Sequence, residues 1–144
     1  MIQKSRPILD RDVPPGTRVL CVDDECAVGD VIAQILRTHF ACEVDAVCDA
    51  EAALRELEHR SFDVIIVDFL MPNMDGGELF SRIADRHPEL LPRLMFMTGD
   101  TLSDSTLDFI GATGHPLLEK PFGMAELARA VGEVLRNAEA APTG

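Results

Sequence analysis

No apolar run in these 144 residues approaches the ~20 needed to cross a bilayer. The opening Met1-Ile2-Gln3-Lys4-Ser5-Arg6 has no apolar core of the kind a signal peptide carries. The two absences together make a cytoplasmic protein with no membrane partner the expectation. Positive charge is scarce: 13 Lys and Arg stand against 25 Asp and Glu, for a net charge of −12. A surface of that sign repels a phosphate backbone, so direct binding to nucleic acid is not expected. Cysteine is sparse, four in all, and no pair has the C-x-x-C spacing of zinc or redox motifs. Reduced thiols are therefore the expectation, Cys21 inside an apolar strand pattern, Cys26 and Cys48 more exposed and without an assigned role. No glycine-rich phosphate loop follows the first apolar segment, where Asp23-Asp24-Glu25 stands instead. This argues against a doubly wound nucleotide-binding module. No repeat at a solenoid period is visible, and the length suits one domain.

What is present is organised around Asp63-Val64-Ile65-Ile66-Val67-Asp68. Four consecutive aliphatic residues, rich in β-branching, read as a strand buried on both faces. Pro72 and Asp75-Gly76 then force a loop. Asp68 is thereby presented at the C-terminal edge of a parallel sheet, where open α/β sheets hold their ligands.

The remaining chain alternates strand and helix patterns. Residues 1–16, ending in Val13-Pro14-Pro15-Gly16, read as a flexible lead-in. Strands are expected over 17–22, 42–47, 93–98 and 115–118 besides the central one. Helices are expected over 26–38, 50–59, 77–87, 102–110 and 124–137. The first helix places Val28, Val31, Ile32, Ile35 and Leu36 at core spacing, and Asp49 reads as the N-cap of the second. Domain organisation follows: lead-in 1–16, one domain over 17–137, a frayed tail over 138–144, and no room for an output module. Five β-α repeats argue for a parallel sheet with helices on both faces.

In such a sheet every strand's C-terminal end lies on one edge. That edge would collect Asp23 and Asp24 after the first strand, Asp68 after the third, Thr98 after the fourth and Lys120 after the fifth. At ~4 Å and an effective dielectric near 20, each like-charge pair among the carboxylates costs roughly 4 kcal/mol, so the cluster holds either protons or a cation. Oxygen ligands in small number suit Mg²⁺ completed by a phosphate. Thr98 and Lys120 suit phosphoryl oxygens. The set reads as a metal-assisted phosphoryl site with a carboxylate as nucleophile.

Four stretches carry a family resemblance: Val22-Asp23-Asp24-Glu25, Asp68-Phe69-Leu70-Met71-Pro72-Asn73-Met74-Asp75-Gly76, Met97-Thr98-Gly99 and Glu119-Lys120-Pro121-Phe122. In that order and spacing they resemble the response-regulator receiver domain of two-component signalling. The resemblance implies a flavodoxin-like, doubly wound (βα)5 fold with strand order 2-1-3-4-5. It implies Asp68 as phosphoacceptor and Mg²⁺ held by Asp23, Asp24, Asp68 and the backbone carbonyl of Leu70. It further implies phosphoryl contacts from Thr98 and Lys120, and a cis Lys120–Pro121 bond. A sensor histidine kinase or histidine phosphotransfer protein would supply the phosphoryl group. A downstream effector protein would read the fourth helix, fifth strand and fifth helix, a face that could also serve a homodimer. No conventional enzyme turnover is implied beyond the domain's own phosphorylation and dephosphorylation.

Two positions depart from the pattern. Leu117 stands three before the lysine, where the family often has an aromatic switch residue, so output must be coupled otherwise. Leu70, two after the acceptor, cannot orient a hydrolytic water, which points to a long-lived phosphoryl group. Alternatives are a phosphorelay intermediate, the receiver of a hybrid sensor kinase, and an aspartyl-phosphate-forming phosphatase. The phosphatase would want a second Asp at position 70. Asp75 reads as a turn-former, and His39, His59, His87 and His115 as solvated or capping residues.

Overall fold

A computed structural model describes residues 13–71, 74–99 and 103–140. Five strands, β1 (Arg18–Val22), β2 (Glu43–Val47), β3 (Val64–Asp68), β4 (Leu94–Thr98) and β5 (Leu117–Glu119), form one all-parallel sheet in the order β2-β1-β3-β4-β5. The helices between and after them are α1 (Cys26–Phe40), α2 (Ala50–His59), α3 (Gly76–Arg86), α4 (Asp104–Thr113) and α5 (Met124–Ala140). This is the doubly wound fold that the β-α alternation anticipates.

Strand periodicity of two sends alternate side chains to opposite faces. Val19, Cys21, Val64, Ile66, Met95 and Met97 pack under α1 and α5. Leu20, Val22, Ile65, Val67, Leu94 and Phe96 pack under α2 and α3. Because both faces are covered, β3 is buried at all five positions. That explains its unbroken aliphatic run, each residue of which contributes about 1.5–3 kcal/mol by leaving water.

Several boundaries follow from local chemistry. Asp49 and Asp75 cap α2 and α3, their side chains accepting from the N–H groups of Ala52 and Glu78. Asp75 is thus a capping residue. Asp75→Ala should lower stability by ~1 kcal/mol in chemical denaturation, the usual cost of an unsatisfied first turn. Pro88 and Pro92 do more than stop α3, since they organise a 3-10 segment, Pro88–Arg93, that leads into β4.

The structure corrects four expectations. The lead-in is not loose at its end: Val13 is 1% exposed within the core, and Gly16 N–H donates to the Ala41 carbonyl. Residues 1–12 and 141–144 lie outside the described residues. Val31 is 56% exposed. The buried stripe of α1 runs through Gly29, Ile32, Ala33, Leu36 and Phe40. At 100° per residue this stripe is turned by about 90° from the apolar one. The small Gly29 and Ala33, which a hydropathy pattern ignores, take the closest approach. His115 is half-buried rather than a surface residue; its ring packs edge-on against Phe80 and Phe96, and Nε2 lies 2.5 Å from the Leu91 carbonyl oxygen.

The fourth correction concerns cysteine. Cys26 and Cys48 form a disulfide with Cα atoms 5.3 Å apart. The parallel pairing of β1 with β2 sets the two following loops side by side and brings these residues within bonding reach. Cys21 and Cys42 are free and buried, and burial pushes their thiols up to about 12 and about 11.

Candidate functional site

The C-terminal edge of the sheet gathers the residues that the sequence places on strand ends. Asp23 and Asp24 follow β1, Asp68 ends β3, Thr98 ends β4, and Lys120 follows β5. Asp23, Asp68 and Thr98 are buried, and Asp24 is half-buried at the rim. Carboxylate oxygens of Asp23, Asp24 and Asp68 all lie within 4.8 Å of one another.

Lys120 bridges two of these acids. Its Nζ donates to Asp23 Oδ2 at 2.8 Å and to Asp68 Oδ2 at 3.2 Å. The Lys120–Pro121 peptide bond is cis, as the resemblance implies. Backbone bonds fix the surrounding geometry. Lys120 N–H donates to the Thr98 carbonyl at 2.7 Å, and Phe69 N–H to the Met97 carbonyl at 2.9 Å. Both tie strand ends to their neighbours one residue past the ladder. Asp23 Oδ1 accepts from Glu25 N–H at 2.9 Å, and Asp68 Oδ1 from Leu70 N–H at 3.1 Å. Leu70 itself lies at the rim and is 42% exposed. Behind the site Phe69 packs on Phe96 and Phe109 with ring centroids 5.4 and 5.9 Å apart, and Leu117 stands beside Phe96 in the β4–β5 register.

Burial lifts the Asp68 carboxyl from 3.8 to about 6; Lys120 opposes that shift and the Asp23 charge adds to it. Burial alone would lower the Lys120 ammonium, but its hydrogen bond to Asp23 and the charges of Asp68 and Asp23 raise it. The sign for stability follows from proton counts. Between pH about 4 and about 6 the folded protein holds a proton on Asp68 that the unfolded chain has lost, so stability falls as pH rises through that window. Asp68→Asn, which has no such proton, should stabilise the metal-free protein by on the order of 2 kcal/mol above pH about 7, and by nothing below about 4. Thermal unfolding with a chelator present, at a series of pH values, reads this difference.

The donor set fits a hard divalent cation. Three carboxylates against one ammonium leave a net negative charge, all the donors are oxygen, and the group opens at the rim through Asp24. Mg²⁺ prefers this arrangement, since it keeps several waters and accepts a phosphate to complete its sphere. The disulfide escaped the sequence reading although it lies at this same rim, two residues beyond Asp24. The only sequence signal is that Cys26 and Cys48 each follow a strand end closely.

Comparison with known proteins agrees with the geometry. The sequence model described as the response regulator receiver domain matches residues 19–132. The heme response regulator HssR of Staphylococcus aureus is 34% identical over 120 residues, 82% of this chain and 51% of its own length. The chain therefore spans about half the length of the curated relatives it matches. Among solved structures, a CheY-like receiver domain protein from Methanospirillum hungatei is 26% identical with a TM-score of 0.75, covering 87% of this chain and 98% of its own. The Vibrio cholerae chemotaxis protein CheY4 is 28% identical with a TM-score of 0.74, covering 83% and 99%.

Proposed function

Since the chain belongs to the response regulator receiver family of two-component signalling, we propose that it is a phosphoacceptor switch in which Asp68 takes a phosphoryl group from a partner kinase. The observation that carries this reading is the Lys120 ammonium, held 3.2 Å from one Asp68 oxygen and anchored at 2.8 Å to Asp23. It is a fixed cation beside a carboxylate that can act as nucleophile.

An Asp68 oxygen attacks the phosphorus of a kinase phosphohistidine. The P–N bond breaks, the ring leaves as neutral imidazole with the proton its other nitrogen already carried, and Asp68 becomes a mixed anhydride. Asp23, Asp24, Asp68 and the Leu70 carbonyl would hold Mg²⁺, which when bound offsets the charge of the phosphoryl oxygens. Lys120 contributes a second positive charge beside Asp68, already in place before transfer. Thr98, buried at the end of β4, would meet a phosphoryl oxygen. Drawing Thr98 towards that oxygen is how β4 would carry the change to α4, β5 and α5. With Leu117 in place of an aromatic residue, the Phe69–Phe109 contact from the acceptor loop to α4 is the available route. A downstream effector protein, or a second copy of the chain, would read that face. A histidine phosphotransfer protein in place of the kinase would make the chain a relay intermediate. Among the described residues no helix is long and apolar enough to cross a membrane, in keeping with a site of action beside a kinase's cytoplasmic domain. The phosphatase alternative loses ground at Leu70, which has no proton to give a leaving group.

The purified chain, incubated with Mg²⁺ and acetyl phosphate, should gain one phosphoryl group by intact mass, and none when Mg²⁺ is chelated. Because Leu70 cannot direct a water, the adduct should persist for minutes or longer once the donor is removed. Decay within seconds would refute that lifetime, and steady turnover of a phosphate ester would favour the phosphatase.

A further inference from the structure

Asp23 and Cys26 bound a short bow of chain that carries Asp24, and each end is pinned to the next strand. At one end Asp23 N–H donates to the Val47 carbonyl at 3.1 Å. At the other, Cys26 is bonded to Cys48, the residue after Val47. Beyond the bow α1 begins without a capping side chain, for Glu25 makes no cap hydrogen bond and the first turn holds no acidic residue. The disulfide therefore fastens a helix start that side-chain capping leaves weak. It is also reachable. Cys26 is exposed, and Cys48 lines an open groove of about 570 Å³ together with Asp24, Asp49, Met71 and Met74. The other two thiols, Cys21 and Cys42, are buried.

We propose that Cys26 and Cys48 are a dithiol/disulfide exchange site that sets how tightly the acidic rim grips its divalent cation. This rests on reading Asp23, Asp24 and Asp68 as that cation's ligands. A permanent staple belongs to an oxidising compartment. Beside a cytoplasmic kinase, thiols are ordinarily kept reduced and a surface disulfide is made and broken. The reductant is a dithiol. Its thiolate attacks one sulfur, the Cys26–Cys48 bond breaks, and a mixed disulfide forms. The second thiol of the reductant then closes its own disulfide, leaving two electrons and two protons on Cys26 and Cys48. Reduction removes the covalent pin from the bow that carries Asp24, leaving only the hydrogen bonds from Asp23 N–H to Val47 and from Glu25 N–H to Asp23. The carboxylate must then be ordered as the metal binds, so affinity drops. By linkage the metal favours the disulfide to the same degree.

The full chain, oxidised or reduced with dithiothreitol and verified by thiol alkylation, is titrated with Mg²⁺ by calorimetry. Metal-free amide exchange over residues 26–29 is followed in parallel. Reduction should weaken Mg²⁺ binding by about tenfold, on the scale of losing one short tether. It should also speed exchange in that first turn. Saturating Mg²⁺ should make the disulfide midpoint potential about 30 mV more negative, that same tenfold for a two-electron couple. Cys48→Ser, or Cys26→Ser if the first folds poorly, should show the reduced affinity with and without dithiothreitol. Equal affinities in both states, or four alkylatable thiols after oxidation, would overturn the proposal. Equal Mg²⁺ binding and equal phosphorylation in both states would leave the switch standing and sink only this inference. Mg²⁺ binding by neither state would sink both.

Discussion

Asp68→Asn should take up no phosphoryl group from acetyl phosphate, and Lys120→Met should take it up about 10²–10³-fold more slowly than wild type, the usual cost of removing one fixed donor from a transferring oxyanion. The two variants fail for different reasons. Asparagine keeps an oxygen that can accept from Leu70 N–H, but it offers no carboxylate to attack phosphorus. Methionine keeps the length of the lysine stem but removes the charge that Asp23 and Asp68 share. Removing the cation from a buried pair costs roughly 3–5 kcal/mol because the remaining carboxylates stay buried. Metal-free Lys120→Met should therefore be unstable near neutral pH and recover with Mg²⁺ or with acid. Phosphorylation rates must be compared at saturating Mg²⁺, where both proteins are folded. If Lys120→Met accepted phosphate at the wild-type rate there, the lysine would be a structural counter-ion only.

Gly76→Ala is expected to lower stability by packing alone, with no change of charge. A Cβ at Gly76 would lie 2.8 Å from the Phe69 Cα and 2.9 Å from its ring. Backbone cannot rotate away as a flexible side chain can. Gly76 N–H also donates to the Phe69 carbonyl at 2.7 Å, closing the acceptor loop on itself. Alanine would suit the first turn of α3 by propensity, worth at most ~1 kcal/mol. Relieving the clash means moving the residue next to Asp68 or opening that hydrogen bond, at about 2–4 kcal/mol. Denaturant titration should show that net loss. Phosphorylation should slow as well, since Phe69 sets the position of Asp68 and of the Phe109 contact. A variant as stable as wild type would mean that the loop yields more freely than its packing implies.

The legible parts of this molecule are those encoded locally. Each strand's aliphatic run states its own element, as the Asp49 cap does for α2, and the β-α alternation then forces a parallel sheet; Asp75, which reads as a turn-former, caps α3 only once the loop folds. With that sheet, Asp23, Asp24, Asp68, Thr98 and Lys120 arrive on one edge without any knowledge of contacts. The misses are tertiary. Cys26 and Cys48 are 22 residues apart in sequence, and only the β1–β2 pairing makes them neighbours. The exposure of Val31 depends on Gly29 and Ala33 taking the close approach to the sheet. The burial of Val13 depends on the assembled core cluster, drawn from the sheet, α1 and α5, that it joins. At β5, Pro116 lends its carbonyl to Phe96 N–H but has no N–H of its own, so the ladder begins at Leu117, two residues later than the sequence pattern places it.

Borohydride trapping tests the convergence of these side chains most directly. An aspartyl phosphate is reduced to homoserine, a change that peptide mapping locates. After incubation with acetyl phosphate and Mg²⁺, homoserine is expected at position 68 alone, and none when Mg²⁺ is withheld. Homoserine at another aspartate, a phosphoryl group stable to borohydride on serine, threonine or histidine, or labelling independent of Mg²⁺ would contradict it.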